Sequence, residues 1–510
     1  MNLTQQLHRA LQLAPDQPLT ICGDRVRSAR ESADRVARLA GALRSLGVES
    51  GDRVALLATN SDRYHEAFFA TWWIGAVVAP LNIRWSLAEI GLALRDAGPR
   101  VLLVDDAFAA HVPRLRQECP AVAEFVHCGD GTAPDGTTGY EELIAGSEPV
   151  EDLRVGGDEL AALLYTGGTT GAPKGVMVSH QALTFSTLGT QVAGHSSIPG
   201  GLLLTCAPMF HIASIVSWLG QLTVGGTIVF LPGFGAAQVL DAVARHRITT
   251  LSLVPTMIQM LLDHPEASAH DLSSVRSLRY GASTMPAALL ERAMAAFPQA
   301  GFTQGYGMTE TAMVTQLGAE EHRAGGHLLR SAGRATPHCE IRILGPDGTE
   351  LPRGEVGELV VRGASLMLGY WNRPEETAAV LRDGWMHTGD GASMDQDGYV
   401  FVADRIKDMI ISGGENVYSA EVENALALHP AVAACAVVGL PDARWGERVH
   451  AVVVLRPGAT AGEDDLRAHT RELIAGYKVP RSVEFTDALP LSGAGKVLKR
   501  ELRAARLAQR

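Results

Sequence analysis

The chain has 510 residues, 46% of them hydrophobic and 20% charged, with a net charge of −12. That composition excludes an intrinsically disordered chain and argues against a nucleic-acid binder, which would carry a basic face. The length exceeds what one core usually supports, so two or more domains are expected.

In chain order, the first residues, 1–15, lack the apolar run of a signal peptide. The pattern then alternates. Helices are predicted over Ala33–Leu46, Tyr64–Trp73 and Leu87–Ala97, and strands over Arg53–Leu57, Val77–Pro80 and Val101–Val104, as in a parallel α/β layer. Strands Leu160–Leu164 and Val176–Val178 flank a glycine-rich loop, Tyr165 to Gly175. Glycines let backbone N–H groups approach an anion, the threonine hydroxyls add donors, and Lys174 adds charge, which is the chemistry of a polyphosphate cradle. It is not a Walker loop, because Pro173 precedes Lys174 and Gly175 follows it. Taken alone it also fits an ordinary hairpin turn.

Between His195 and Asp241 the only ionisable side chains are Cys206 and His211. The length would allow a membrane span, but Pro208, Gln221, Gly225, Gly226 and Pro232 interrupt it. A buried helix, Ala213–Leu222, turning into a strand, Thr227–Leu231, is expected instead. A second α/β set follows, with helices Gln238–His246 and Thr256–Leu262 and strands Thr250–Val254 and Ser277–Tyr280. Short strands at Ile341–Ile343, Glu358–Arg362 and Tyr399–Val402 suggest a small β subdomain. The charged run Asp404-Arg405-Ile406-Lys407-Asp408 marks a domain boundary, and a compact α/β pattern lies beyond it. The basic stretch Lys496–Arg510 reads as a solvated helix rather than a nucleic-acid tail. The six cysteines, Cys22, Cys119, Cys128, Cys206, Cys339 and Cys435, are scattered, with no C-x-x-C pair. Reduced thiols and a cytoplasmic chain are the expectation.

Four further segments carry chemistry. Gln304-Gly305-Tyr306-Gly307-Met308-Thr309-Glu310 joins a ring, flexible glycines, a hydroxyl and a carboxylate. Trp385-Met386-His387-Thr388-Gly389-Asp390 reads as a loop presenting an exposed Asp, suited to accept two hydrogen bonds from a ribose diol. Asp404-Arg405 reads as a surface ion pair, and Ser492-Gly493-Ala494-Gly495-Lys496 puts a lysine on a flexible loop. Each alone is a turn or a solvated surface.

Together, in this order and spacing, and with Met409 to Val417 and Tyr477-Lys478-Val479-Pro480, they resemble the adenylate-forming superfamily. That superfamily holds acyl- and aryl-CoA ligases, peptide-synthetase adenylation domains and beetle luciferases. The resemblance runs from about Ser28 to Arg503 and points to the bacterial acyl-CoA ligases. It implies an α/β fold with a large N-terminal adenylation domain over 1–403, made of two layered α/β subdomains and a small β-barrel-like one. It further implies a hinge over 404–409, turning at Lys407, and a mobile α+β C-terminal lid over 410–510.

The resemblance also implies roles. Thr166, Gly167, Gly168, Thr169, Thr170 and Lys174 would wrap the β- and γ-phosphates of ATP. Gly281, Ala282, Ser283, Gln304, Gly305, Tyr306, Gly307 and Met308 would form the adenine site, with Tyr306 against the base. Thr309 would meet the α-phosphate, Glu310 would hold Mg²⁺, Asp390 and Arg405 would take the ribose, and Lys496 would be the catalytic lysine. Phe210, His211, Gly281 and Gly305 would border the acid pocket, and Ser412, Gly413, Gly414 and Trp445 would face CoA. Two departures stand out: Gly167 replaces the usual Ser, and Gly391 follows Asp390 where an apolar residue is usual, which is expected to loosen that loop.

The implied reaction is ATP-dependent: a carboxylate gives an acyl-adenylate and pyrophosphate, then a thioester and AMP. No general base is needed for the first step, in keeping with the lack of a G-x-S-x-G elbow. The uncharged segment around His211 points to an apolar fatty or aryl monocarboxylic acid. The alternative acceptor is a carrier protein. A non-catalytic scaffold is disfavoured because Lys496, Glu310 and Asp390 are all present. Expected partners are the acid, ATP and CoA, with no nucleic acid and no integral membrane span. The oligomeric state is left open, a homodimer included.

Overall fold

Serines at helix starts and apolar runs in strands set the first layer. Ser28 and Ser86 each accept the N–H of the residue three on, and Glu31 and Glu89 return the bond, so helices Ala29–Ser45 and Leu87–Ala97 begin at capping boxes. Gly98 ends the second helix at φ +55°, a left-handed position that favours glycine. The strands that alternate with the helices here, Arg53–Leu57, Val77–Pro80 and Val101–Val104, pair in parallel. The computed structural model describes residues 2–166, 173–194, 197–283, 285–405, 408–412, 415–442, 444–492 and 497–508.

Two large sheets carry the N-terminal part. One runs in the order Gly369–Tyr370, Lys174–Ser179, Leu160–Thr166, Val77–Pro80, Arg53–Leu57, Val101–Val104, Glu124–His127, Thr138–Gly139. The other runs Arg334–Ala335, Ala312–Leu317, Gly301–Met308, Ser277–Gly281, Thr250–Leu253, Leu202–Thr205, Thr227–Phe230, Pro18–Cys22, Arg25–Ser28. The two layered α/β units expected from the sequence are therefore present. Between them lies a core with Phe68, Phe69, Trp72 and Trp218 fully buried. The helix read at Ala213–Leu222 extends over Ile212–Thr223 and is packed into that core. Among the described residues no helix is long and apolar enough to cross a membrane.

A smaller antiparallel sheet follows, Cys339–Leu344, Gly357–Gly363, Trp385–Met394 and Leu381–Arg382 in order, with Val400–Arg405 paired to Trp385–Met394. It has its own core of Ile343, Leu359, Val361, Ala392 and Val400. The last sheet orders Glu415–Val417, Ile410–Ser412, Gly446–Leu455 and Val432–Asp442, with Ser482–Phe485 paired to Gly446–Leu455. Helices Ser419–Ala427, Glu463–Leu473 and Lys499–Ala508 complete an α+β unit. The terminal helix is not simply solvated: Leu502 is buried with Val438 and Leu440, and Lys499 pairs with Glu423 at 2.8 Å.

Candidate active site

The hairpin that carries the glycine-rich loop closes with Thr166 opposite Lys174. Gly167, Gly168, Thr169 and Thr170 lie outside the described residues. Lys174 Nζ pairs with Glu376 and stands 5.3 Å from the centre of the Tyr370 ring. The Tyr370 hydroxyl in turn donates to Glu310 Oε1 at 2.9 Å. Tyr370 is held there because Gly369–Tyr370 adds a short strand beside Lys174–Ser179, and the Trp371 N–H donates to the Gly175 carbonyl at 2.8 Å. One tyrosine thus spans the lysine and the carboxylate that the sequence singled out.

Glu310 is buried, at the turn that follows strand Gly301–Met308. Among the described residues no group of three or more acidic, His or Cys side chains could enclose a metal. A single hard carboxylate fits Mg²⁺, which takes one or two protein oxygens and fills its shell with phosphate oxygens and water. Thr309 is half-buried in the same turn.

The Asp390 segment is a correction. It is not an exposed loop: Trp385–Met394 is one strand, and Asp390 is 5% exposed. Glu358 is opposite Gly391 and Val360 is opposite His387, so Thr388, Gly389 and Asp390 face Leu359 alone. This bulge re-aims the carboxylate. Thr388 Oγ1 donates to the Leu359 carbonyl at 2.7 Å and accepts the Asp390 N–H at 3.1 Å, while Gly389, at φ +69°, donates its N–H to Glu358 at 3.1 Å. Tyr306 then donates its hydroxyl to Asp390 Oδ2 at 2.5 Å. Gly391 does not loosen a loop; it sits in the ladder between Glu358 and Asp404. Nor is Asp404 a surface charge: it is buried and accepts the Ser419 N–H at 2.6 Å. Arg405 pairs through its backbone with Asp390.

The Gln304–Met308 segment is also strand, not turn, so its residues alternate. Gly305 lies beside Gly281 in parallel register, and a Cβ on Gly281 would stand 2.2 Å from the Gly305 carbonyl oxygen. Gln304 points instead toward Tyr280, on the opposite side from Gly281 and Gly305. Ala282 sits at φ +66°, and both it and Ser283 are exposed.

The segment before helix Ile212–Thr223, which carries Phe210 and His211, is pinned from the other sheet: Asn60 donates to the Ala207 carbonyl and accepts the Met209 N–H, each at 2.9 Å. Phe210 is buried, and its ring lies 4.3 Å from that of His211. The sequence reading missed Arg279, a buried guanidinium on the same sheet face as Gly281. The sheet face that carries Gly281 is therefore not without charge. A surface hollow of about 460 Å³ between Leu261, Val275 and Phe297 is lined by none of the motif residues.

A family model described as AMP-binding enzyme matches residues 7–371, and one described as AMP-binding enzyme C-terminal domain matches residues 421–496. The chain belongs to the adenylate-forming family of AMP-binding enzymes. It is 45% identical to a feruloyl-CoA synthase of Amycolatopsis sp over 478 residues, 93% of this chain and 92% of the relative. It is 37% identical to a fatty acid–[acyl-carrier-protein] ligase of Streptomyces coeruleorubidus, over 96% of this chain and 93% of the relative. The structure of an anthranilate CoA ligase in complex with anthranoyl-AMP matches with a TM-score of 0.93 at 27% identity, covering 100% of this chain and 98% of that one. The chain is an AMP-forming acid–thiol ligase of the acyl-CoA synthetase type, with ATP and CoA as co-substrates.

In this ligase the C-terminal candidates divide. Lys407, Gly413, Gly414 and Lys496 lie outside the described residues. Ser412 is buried and stands opposite Gly446, next to Trp445. Two arginines missed by the sequence reading cover that indole: Arg481 at 4.2 Å and Arg444 at 4.8 Å from the ring centre. Cations stacked on an aromatic face are suited to a phosphorylated nucleotide.

Proposed function

We propose that this ligase activates a carboxylic acid with an aryl or aliphatic body and passes the acyl group to free CoA. The observation that carries the reading is the pair of tyrosine links. Tyr370 joins Glu310 to the Lys174 side, and Tyr306, on the strand that ends in the Glu310 turn, joins Asp390. A phosphate-binding end and a sugar-binding end then lie on one short stretch of chain, which is the layout a nucleoside triphosphate requires.

In the first step a carboxylate oxygen attacks the α-phosphorus, and pyrophosphate leaves. Charge from carboxylate and triphosphate accumulates in that transition state, and fixed cations aimed at it are the main catalytic device. Lys174 meets the β- and γ-phosphates, Thr309 the α-phosphate, and Lys496 the reacting oxygens. Glu310 would hold Mg²⁺, which when bound would neutralise phosphate charge. Asp390 accepts from the ribose, and Arg405 lies beside it. In the second step the CoA thiol attacks the carbonyl carbon and AMP leaves.

The two steps need different groups at one carbonyl. We assign residues 1–403 to the adenylation domain, 404–409 to a hinge turning at Lys407, and 410–510 to a lid that presents Lys496 first and the Ser412–Trp445 face second. The arginines on Trp445 support CoA over a carrier protein, since the nucleotide end of CoA is what they fit. The test is pyrophosphate release over a panel of aryl and aliphatic acids, followed by thioester formation with free CoA and with an acyl-carrier protein. Thioester with free CoA is expected; thioester with the carrier alone would refute the acceptor assignment.

A further inference from the structure

Helix Ser419–Ala427 opens the C-terminal unit without a cap of its own. Tyr418 precedes it, and its side chain caps none of the first-turn N–H groups among the described residues. The orphan N–H groups of a helix start call for an acceptor. Here the acceptor comes from outside the unit. Asp404 lies near the end of strand Val400–Arg405, in the ladder of the small antiparallel sheet opposite Gly391. Its Oδ2 accepts the Ser419 N–H at 2.6 Å and the Ser419 hydroxyl as well. Asp404 is 9% exposed and Ser419 is fully buried. A buried carboxylate on a helix N-terminus makes charge-assisted bonds that the helix dipole strengthens.

The link continues through the unit. The Ser419 hydroxyl accepts from Lys499 Nζ at 2.5 Å, and the same ammonium pairs at 2.8 Å with Glu423, one turn further along the capped helix. Glu423 also accepts the Val437 N–H at 2.7 Å. Lys499 opens the terminal helix and follows Lys496 by three residues in the sequence. One line of bonds thus joins the strand that enters 404–409, the first helix beyond it and the helix that follows Lys496. A second contact reaches the unit on the other side of Lys496, where Arg84 Nη1 meets the Ser492 carbonyl at 3.5 Å. Arg84 follows strand Val77–Pro80, which runs parallel to Leu160–Thr166, so it stands at the sheet end where the glycine-rich loop begins.

We infer that Asp404 is a positioning residue for acyl-adenylate formation: it caps the first helix of the C-terminal unit from across the hinge and, through Ser419 and Lys499, holds that unit toward the phosphate-binding end. This rests on the ligase reading and the hinge assignment above and deepens them. A turn at Lys407, which lies between Asp404 and Ser419 in the chain, parts the two residues. The thioester step therefore does without the bond.

The two half-reactions, measured separately on the full-length enzyme, test this. The acid is whichever of benzoic, cinnamic, octanoic and hexadecanoic acid the wild type uses best. Pyrophosphate exchange reports adenylation, and thioester yield from the supplied acyl-AMP and CoA reports the second step. Asp404→Ala should slow exchange by about 10-fold to 100-fold, the range of a lost hydrogen bond to a charged acceptor. Thioester formation from supplied acyl-AMP should stay near the wild-type rate. Asp404→Asn keeps an acceptor oxygen and should recover part of the exchange. Placed on Lys496→Ala, the Asp404→Ala change should cost little more, because residues that act through one group are not additive. Ser419→Ala keeps the capped backbone N–H and breaks only the link to Lys499; it should slow exchange alone, and it decides the matter if Asp404→Ala does not fold. Equal losses in the two half-reactions overturn the inference and leave the ligase reading intact. So does wild-type exchange in Asp404→Ala, or a full additive loss on Lys496→Ala. Absence of exchange in the wild type with all of these acids overturns the ligase reading and the inference together.

Discussion

The Tyr306 hydroxyl donates to Asp390 Oδ2 at 2.5 Å, across two strands that belong to different sheets. The residue expected to lie against the adenine also fixes the carboxylate expected to take the ribose. Tyr306→Phe removes that donor and leaves a buried carboxylate short of one bond, which costs about 1.5–3 kcal/mol for a charged acceptor. The expected outcome is a rise in KM for ATP of about 10-fold or more, with KM for the acid little changed. Initial rates with ATP varied at saturating acid check it. An unchanged KM for ATP would separate this bond from nucleotide binding.

Lys174 rests against Glu376, which also pairs with Arg373 at 2.8 Å. Triphosphate must displace Glu376 or share the lysine with it. Partly exposed pairs of this kind are worth about 0.2–1 kcal/mol, so Glu376→Gln should tighten ATP binding by about twofold to fivefold. Calorimetric titration of ATP into both proteins measures this. Weaker binding in the variant would mean that Glu376 serves the nucleotide rather than competing for the lysine.

His65 is fully buried among Phe69, Trp218 and Phe230, and neither ring nitrogen has a hydrogen-bond partner among the described residues. Burial pushes it down to about 3 from 6.5, so the folded state holds it neutral. The unfolded chain binds the extra proton, and its stabilising effect is therefore present above pH 6.5 and lost as pH falls from 6.5 toward 3. His180, pushed down to about 4 by burial, acts in the same direction. His65→Phe should shrink the difference in unfolding free energy between pH 7.5 and pH 5.0 by ~2 kcal/mol. Urea unfolding at the two pH values tests it, and an unchanged difference would show that His65 is not the group responsible.

What the sequence made legible follows from local signals. Leu87–Ala97 was readable to the residue because Ser86 and Gly98 cap its ends, and Val77–Pro80 and Val101–Val104 because they are short apolar runs between helices. Asp390 was misread because Thr388, Gly389 and Asp390 have turn chemistry; only the pairing with Glu358–Val360 shows that they form a bulge within a strand. The pairing of Pro18–Cys22 with Thr227–Phe230 had no local signal at all. Arg279 escaped notice because an arginine alternating with Leu278 and Tyr280 reads as the solvent face of a strand. Its burial depends on helices His180–Gly194 and Ile212–Thr223, which come from distant sequence.

The hinge assignment gives a fourth expectation. Proline fixes φ near −65° and blocks a backbone swing. Lys407→Pro should leave acyl-adenylate formation largely intact and abolish thioester formation. Pyrophosphate exchange and thioester yield on one preparation check this, and a wild-type thioester yield would move the hinge elsewhere.

The central claim is a two-step ligation through an acyl-adenylate, and a single-turnover experiment with enzyme in excess tests it most directly. With ATP and a turned-over acid but no CoA, acid-quenched samples should contain acyl-AMP and pyrophosphate in equal amounts. Adding CoA should convert the acyl-AMP to thioester and AMP. In Lys496→Ala the first phase should slow by about 10²–10³, the size of a lost transition-state donor, while supplied acyl-AMP should still react with CoA at near the wild-type rate. Thioester formed with release of ADP and phosphate, or with no acyl-AMP at any time, would contradict the account.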